Sequence, residues 1–254
     1  MLPSEFKNNT QNKPFSYTKI SNSLVESFVK KNNLGALKIL FYLSKHCQDL
    51  ELNGELITIK INVSSLVKTC KMDVKTFKRN LQKMQETSVT FVVDDVKGVG
   101  PVYEEWITVI PFIKWSYNGF VEVRMFSKIL KLVIGINKKF TVINIENLMA
   151  LRSKHSVRMI QLLEMIEGFS DYVAKRKTYY LSDLNSMFGT KYKTMYEFDR
   201  QILKSVKKEL DEVSTLTFLY EIIFDKLTVA QGRPKAVGVT LDLVSNKNRQ
   251  LKLL

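Results

Sequence analysis

The sequence predicts an α+β chain in which one arrangement, three helices followed by a β-hairpin, is used twice. Three observations carry that expectation. The hydrophobic period changes from 3.6 to 2 at matching places in the two halves. Ile39 and Leu66, apolar anchors of the first half, stand 27 residues apart, and so do Val157 and Leu184 in the second. Hydrophobic residues make up 45% of the 254, enough for packed cores and too many for a disordered chain.

Taken in order, residues 1–14 are rich in Asn, Lys and Thr and predict a flexible arm. From Ile20 a helical period begins, with Leu24, Val25 and Phe28 on one face. A second helix, opened by Asn33 and Gly35, carries Leu37, Leu40, Phe41 and Leu43. Leu56–Ile61 alternates apolar and polar residues as a half-buried strand does. Val63–Thr69 then predicts a short helix with Val63, Leu66 and Val67 inward. After a break at Cys70–Met72, Asp73 is placed to cap a helix running to about Glu86. Its stripe is Val74, Phe77, Leu81 and Met84, spaced three, four and three. Strands are expected at Val89–Val93, Trp106–Phe112 and Phe120–Met125, separated by Gly98, Gly100, Pro101 and an Asn118-Gly119 turn.

The second half repeats the order. Phe140–Ile145 predicts a strand, and Ser153–Glu167 a helix with Val157, Ile160, Leu162 and Leu163 facing in. Thr178–Leu181 is extended, and Ser182 is placed to cap a short helix to Phe188. A turn over Gly189–Thr194 leads to a longer helix, Tyr196–Val213, striped by Phe198, Ile202, Leu203, Val206, Leu210 and Val213. Strands Leu216–Phe224 and Ala236–Val244 flank a loop holding Lys226, Gly232, Arg233, Pro234 and Lys235. Helix, helix, helix and hairpin is the winged helix-turn-helix order. The expectation is therefore two tandem winged helix-turn-helix domains related by a pseudo-repeat. Their limits are 15–136 for the N-terminal domain and 137–246 for the C-terminal one, with 247–254 a tail.

The charge narrows the function. Lys and Arg number 39 against 25 Asp and Glu, a net +14 that suits a polyanion. No apolar run approaches the roughly 20 residues of a membrane span, and Met1–Thr10 lacks the apolar core of a signal peptide, so no membrane partner and a cytoplasmic location are expected. Cys47 and Cys70 read as free thiols. Enzyme signatures are missing: the two histidines, His46 and His155, are far apart, and no phosphate-binding loop occurs. The acidic pairs Asp94-Asp95, Glu104-Glu105 and Asp211-Glu212 fall at turns or helix ends. Neither catalysis nor a cofactor or metal is expected.

In a helix-turn-helix the second helix enters the major groove. In the first half that helix would present Lys75, Thr76, Lys78, Arg79 and Lys83. In the second half Lys191, Lys193 and Thr194 lie in the turn, and Tyr196, Arg200, Gln201, Lys204 and Lys208 along the exposed side. Lys226, Arg233 and Lys235 belong to the second wing. Arg and Gln pair with guanine and adenine edges, so Arg79, Arg200 and Gln201 are the base-reading candidates and the lysines serve phosphates.

Leu151–Leu163 reads LRSKHSVRMIQLL. This resembles the signature helix of Rep_3-type plasmid replication initiators, the iteron-binding family, whose pattern is Leu-x-Ser-Lys-Tyr-x-x-Arg-x-Tyr-x-Leu-Leu. Leu151, Ser153, Lys154, Arg158, Leu162 and Leu163 match, while His155 and Ile160 stand where the family has Tyr. Phe198-Asp199-Arg200 through Asp211, and the upstream LSDLNSMFG, are also similar to family features. The resemblance implies two winged-helix domains that bind direct origin repeats (iterons) as monomers, help open an AT-rich stretch and recruit host helicase and initiator proteins. It also implies a homodimer through the N-terminal domain that represses its own promoter, and a DNA-facing Arg158. The other reading of Arg158 is a structural bridge. A tandem winged-helix transcription repressor without an initiator role is the alternative function. The Trp106–Trp115 segment is a candidate dimer edge, or an ordinary wing.

Overall fold

A computed structural model describes residues 17–21, 24, 28, 30–47, 50–94, 101–134, 140–168, 175–225 and 234–246. The chain forms two units, each with helices packed on one face of a three-stranded antiparallel sheet. The N-terminal unit contains α1 (Leu34–His46), β2 (Leu56–Asn62), α2 (Val63–Cys70), α3 (Val74–Gln85), β5 (Phe112–Trp115) and β6 (Phe120–Phe126). In the C-terminal unit stand α6 (Lys154–Glu167), β8 (Arg176–Tyr180), α7 (Leu181–Phe188), α8 (Met195–Phe198), α9 (Lys204–Val213), β9 (Leu216–Phe224) and β10 (Ala236–Ser245). The strand orders are β2-β6-β5 and β8-β10-β9, so in both sheets the last strand lies between the other two. Ile39, Leu66, Val157 and Leu184, whose spacing announced the repeat, are all fully buried. The expected α+β pair of winged-helix units is the fold found.

Local chemistry sets most element starts. The Asn33 side chain accepts from the Ala36 amide and opens α1, as Asn62 does for α2 and Asp73 for α3. Lys71, in the left-handed region at φ 52°, breaks the chain between α2 and α3. Gly189, at φ 63°, ends α7, and a Cβ there would lie 3.1 Å from the Lys30 backbone. Glycine therefore suits both the dihedral and the close approach of the segment holding Leu24 and Phe28, which are helical and fully buried.

Five expectations are corrected. Ile20 does not begin a helix: it lies in β1 (Tyr17–Ser21), which pairs antiparallel with β7 (Phe140–Asn144), Tyr17 opposite Asn144 and Ser21 opposite Phe140. The helical period starts only afterwards, and Val25 lies outside the described residues. Trp106–Phe112 is two strands, because Pro111 supplies no amide to a ladder. β4 (Pro101–Thr108) pairs with β3 (Ser88–Asp94) as a separate hairpin inserted before β5. Val74 is 47% exposed, so the α3 stripe starts at Phe77. Ser182 is no cap, since α7 begins at Leu181 without a side-chain cap. The long C-terminal helix contains a π-helical turn, Asp199–Leu203, between α8 and α9. That turn is one residue wider than an α-helical turn, and its Ile202 and Leu203 are both buried.

Two further helices, α4 (Ser127–Val133) and α5 (Ile145–Ala150), flank β7 and carry the chain between the units. Several polar contacts close this junction. Buried Lys38 on α1 donates to the Met149 carbonyl at 2.8 Å, Ser44 to the Val133 carbonyl at 2.6 Å, and Asn147 to Thr215 at 2.6 Å. Burial lowers the Lys38 pKa from its ordinary value. Cys47 and Cys70 are free and buried, their thiols pushed up to about 12 by burial, which makes them poor nucleophiles. Among the described residues no helix is long and apolar enough to cross a membrane.

His155 sits on α6 beside Phe188, with ring centroids 6.1 Å apart and, among the described residues, no partner for its Nδ1. Burial, helped by Lys154, lowers its pKa from 6.5 to about 4. The unfolded chain therefore takes up a proton near pH 6.5 that the folded chain refuses until about pH 4. Stability is full above the higher value and falls as pH drops toward the lower one. Thermal unfolding of His155→Phe between pH 7 and 5 is expected to show a shallower acid-side fall than the wild type. Parallel curves would remove His155 from the acid response.

Candidate nucleic-acid interface

In the N-terminal unit α3 buries Phe77, Asn80, Leu81 and Met84 and leaves Lys75, Lys78, Arg79 and Gln82 exposed, with Lys83 half-buried. The cap holds the start of this helix rigidly. Hydrogen bonds from the Thr76 amide at 2.7 Å and the Thr76 hydroxyl at 2.9 Å hold the Asp73 carboxyl below its ordinary pKa. Thr76 is thus engaged in the cap, and the cations carry the exposed face. The wing is fastened to the same helix: Trp115 packs edge-on against Phe77 at 5.5 Å, and Lys78 lies 4.8 Å over the Trp115 ring. At the β5–β6 turn Gly119 takes φ 82°, and the Tyr117 side chain is fully exposed beside the exposed Asn118. Tyr117 was not among the expected site residues. The Asn-Gly turn was the signal that a tip would present its neighbours to solvent.

The C-terminal unit builds the same face with more polar bracing. Asn185 organises the turn between α7 and α8: its Oδ1 accepts from the Thr190 hydroxyl at 2.8 Å and the Tyr192 amide at 3.0 Å, while its Nδ2 donates to the Tyr192 carbonyl at 2.9 Å. Lys191 and Lys193 are therefore exposed from an ordered turn. Thr194 and Glu197 form a capping box, which uses the Thr194 hydroxyl in the helix start. Tyr196 is 66% exposed, and the Arg200 guanidinium lies 5.7 Å from its ring centroid. The π turn sets the next residues. Asp199 accepts from the Tyr220 hydroxyl at 2.6 Å and pairs with Lys204 at 3.3 Å. Burial and that carboxylate raise the Tyr220 pKa. Arg200, Gln201, Lys204 and Lys208 all remain exposed along this side.

Two groups of expected residues fall elsewhere. Arg158 is 3% exposed, inside α6, where its guanidinium donates to the Gln161 side chain. It follows the register of α6 into the core, which withdraws it from the solvent face and favours the structural bridge. In the second wing Lys226 and Arg233 lie outside the described residues, as do Gly98 and Gly100 of the first half. Lys235 is exposed, and its carbonyl accepts from the Asp225 amide at 2.8 Å, closing the base of the loop. Among the described residues no group of three or more His, Cys, Asp or Glu could hold a metal ion.

Comparison with known proteins gives a consistent picture. A family model described as "Initiator Replication protein, WH1" matches residues 17–164, and one described as "Initiator Rep protein, WH2" matches residues 180–239. A search of curated proteins returns no match. Among solved structures, the Pi initiator protein in complex with iteron DNA is similar, with 15% identity and a TM-score of 0.71 over 92% of this chain and 99% of that one. Domains 2 and 3 of RctB give 10% identity and a TM-score of 0.47, covering 83% of this chain and 81% of that one.

The capping box carries a prediction of its own. Thr194→Ala is expected to destabilise the chain by about 1 kcal/mol, read as a lower urea midpoint at unchanged m-value. An unchanged midpoint would show that Glu197 holds the helix start by itself.

Proposed function

Since the chain belongs to the family of replication initiator proteins with paired WH1 and WH2 winged-helix domains, we propose that it binds duplex DNA at a plasmid origin and initiates replication there. The observation that carries this reading is the paired reading faces. Each unit shows a helix with one buried stripe and an opposite face of exposed cations, braced by its own cap and set beside a wing. The Pi initiator, whose fold spans 92% of this chain, is described with iteron DNA, and direct repeats are accordingly the DNA proposed here.

Roles divide by side-chain chemistry. Arg79, Arg200 and Gln201 read base edges, with Arg200 pre-aligned by the Tyr196 ring. Lys75, Lys78, Lys83, Lys191, Lys193, Lys204, Lys208 and Lys235, with Lys226 and Arg233 of the second wing, contact phosphates, and Tyr117 adds a contact at the first wing tip. Binding releases counterions and so weakens with salt. We propose that the protein acts without catalysis, melting an adjacent AT-rich stretch and engaging host helicase and initiator proteins. A homodimer through the β3–β4 hairpin would repress the protein's own promoter. That hairpin exposes Trp106 at 66% and among the described residues has no third strand, which supports an edge open to pairing.

Gel shifts test the division. Arg200→Ala is expected to cost about 1–3 kcal/mol on a matched repeat and little on one already mismatched at the position it reads. Equal loss on every sequence would remove Arg200 from base reading. Lys193→Ala should weaken all duplexes alike and flatten the log–log salt dependence by about one.

Further assays address the remaining roles. Incubation with supercoiled origin plasmid and Mg²⁺ should leave it supercoiled; a nicked product would overturn the non-catalytic role. Footprinting beside the protein's own gene separates the initiator from the plain repressor: protection of several direct repeats beside an AT-rich tract supports the first, and a lone inverted repeat the second.

A further inference from the structure

The aim of the exposed face of α3 depends on how the helix is rotated about its axis. Phe77, Leu81 and Met84 form a plain apolar stripe on its buried side. One polar side chain interrupts it. Asn80, 1% exposed, stands next to Arg79 in sequence and faces the opposite way, into the N-terminal turn of α1. Its Oδ1 accepts from Asn33 Nδ2 at 2.9 Å, and Asn33 is the residue whose Oδ1 caps α1 at the Ala36 amide, also at 2.9 Å. One amide therefore both starts α1 and holds α3.

The second observation is Gly35. It occupies the first turn of α1, where glycine is a poor helix former and its φ is not positive. A Cβ there would lie 2.1 Å from Asn80 Nδ2 and 2.8 Å from its Cγ. The α1 backbone thus leaves room for the Asn80 amide to lie against it. The other half has the same arrangement in different chemistry. Glu209, in the last turns of α9, accepts from the Arg152 amide and the Ser156 hydroxyl at the N-terminal turn of α6.

We propose that Asn80, received by Asn33 and Gly35, is a positioning residue that fixes the rotation of α3 and hence the aim of Arg79 and its neighbours at base edges. A hydrogen bond is directional where apolar burial is not, so this contact adds an orientational restraint that the stripe alone does not supply. The proposal rests on the DNA-reading function above, and its effect falls on discrimination between sequences, not on general affinity for DNA.

The test uses the full chain and two probes: a duplex selected by the wild-type protein from a randomised pool, and the same duplex scrambled. Asn80→Leu keeps the volume and removes the bond. Gly35→Ala improves helix propensity while displacing the Asn80 amide from the other side, so it separates the latch from helix stability. Each is expected to lower affinity for the selected duplex roughly tenfold, leave the scrambled duplex within about twofold, and preserve the salt slope. In an Asn80→Ala background, Gly35→Ala should have no further effect, because the atom it strikes is gone. Wild-type discrimination in both variants, or an equal loss on both probes, overturns the latch and leaves the DNA-reading assignment standing. If the wild-type protein itself fails to separate the two probes, the assignment falls and the latch falls with it.

Discussion

The constraint on which the structure depends is that a helix presenting a whole face of exposed cations can be held from only one side. Each such helix must obtain its stability from a single buried stripe: Phe77, Leu81 and Met84 in the first unit, and Phe198, Ile202, Leu203, Val206 and Leu210 in the second. Each such side chain contributes about 1.5–3 kcal/mol when fully buried, whereas an exposed ion pair contributes about 0–1 kcal/mol. The fold therefore rests on the stripe. The cations opposite it are nearly neutral for stability, which leaves them free to be selected for binding. The caps and the wing residue Trp115, edge-on against Phe77, supply the alignment that the missing second face cannot.

The two units are not beads on a string. β1 pairs with β7, so the start of the described chain is tied to the start of the second half, and α1 donates through Lys38 to the end of α5. A buried ammonium that loses this acceptor would be left unpaired in a poorly solvating site, so the contact resists separation of the halves. The position of Gly189 against Lys30 adds a close backbone contact across the same junction. Two cation-faced helices held this way present their charges at a set offset.

Much of this was readable because short-range chemistry wrote it. Asn33 and Asp73 mark helix starts by side chains that satisfy orphan amides within three residues. Leu66 and Leu184 lie at positions where the period alone reports burial. What was not readable depends on distant partners or on registers that slip. The assignment of Ile20 to a strand is decided by Thr141, far along the chain, and nothing near Ile20 announces it. Arg158 looks like a surface residue by composition, yet α6 is buried on so many sides that even an arginine is enclosed. The exposed faces of α3 and α9 were visible as cation patterns. Their bracing by Asn80, Asn185 and Glu209 was not, since a polar residue on an apolar face looks like noise until its partner is seen.

The π-helical turn has a consequence for how such a protein can change. The turn holds one residue more than an α-helix needs, and each residue of an α-helix adds about 100° of rotation. Loss of one codon within Asp199–Leu203 would close the turn into ordinary helix, and because a π turn is an α turn with one extra residue taken into it, Tyr196 on one side and Lys204 and Lys208 on the other would keep nearly their present facings. A lineage carrying this turn can therefore lose a residue here without re-aiming the exposed cations, whereas the same deletion in regular helix would turn one half against the other by about 100°.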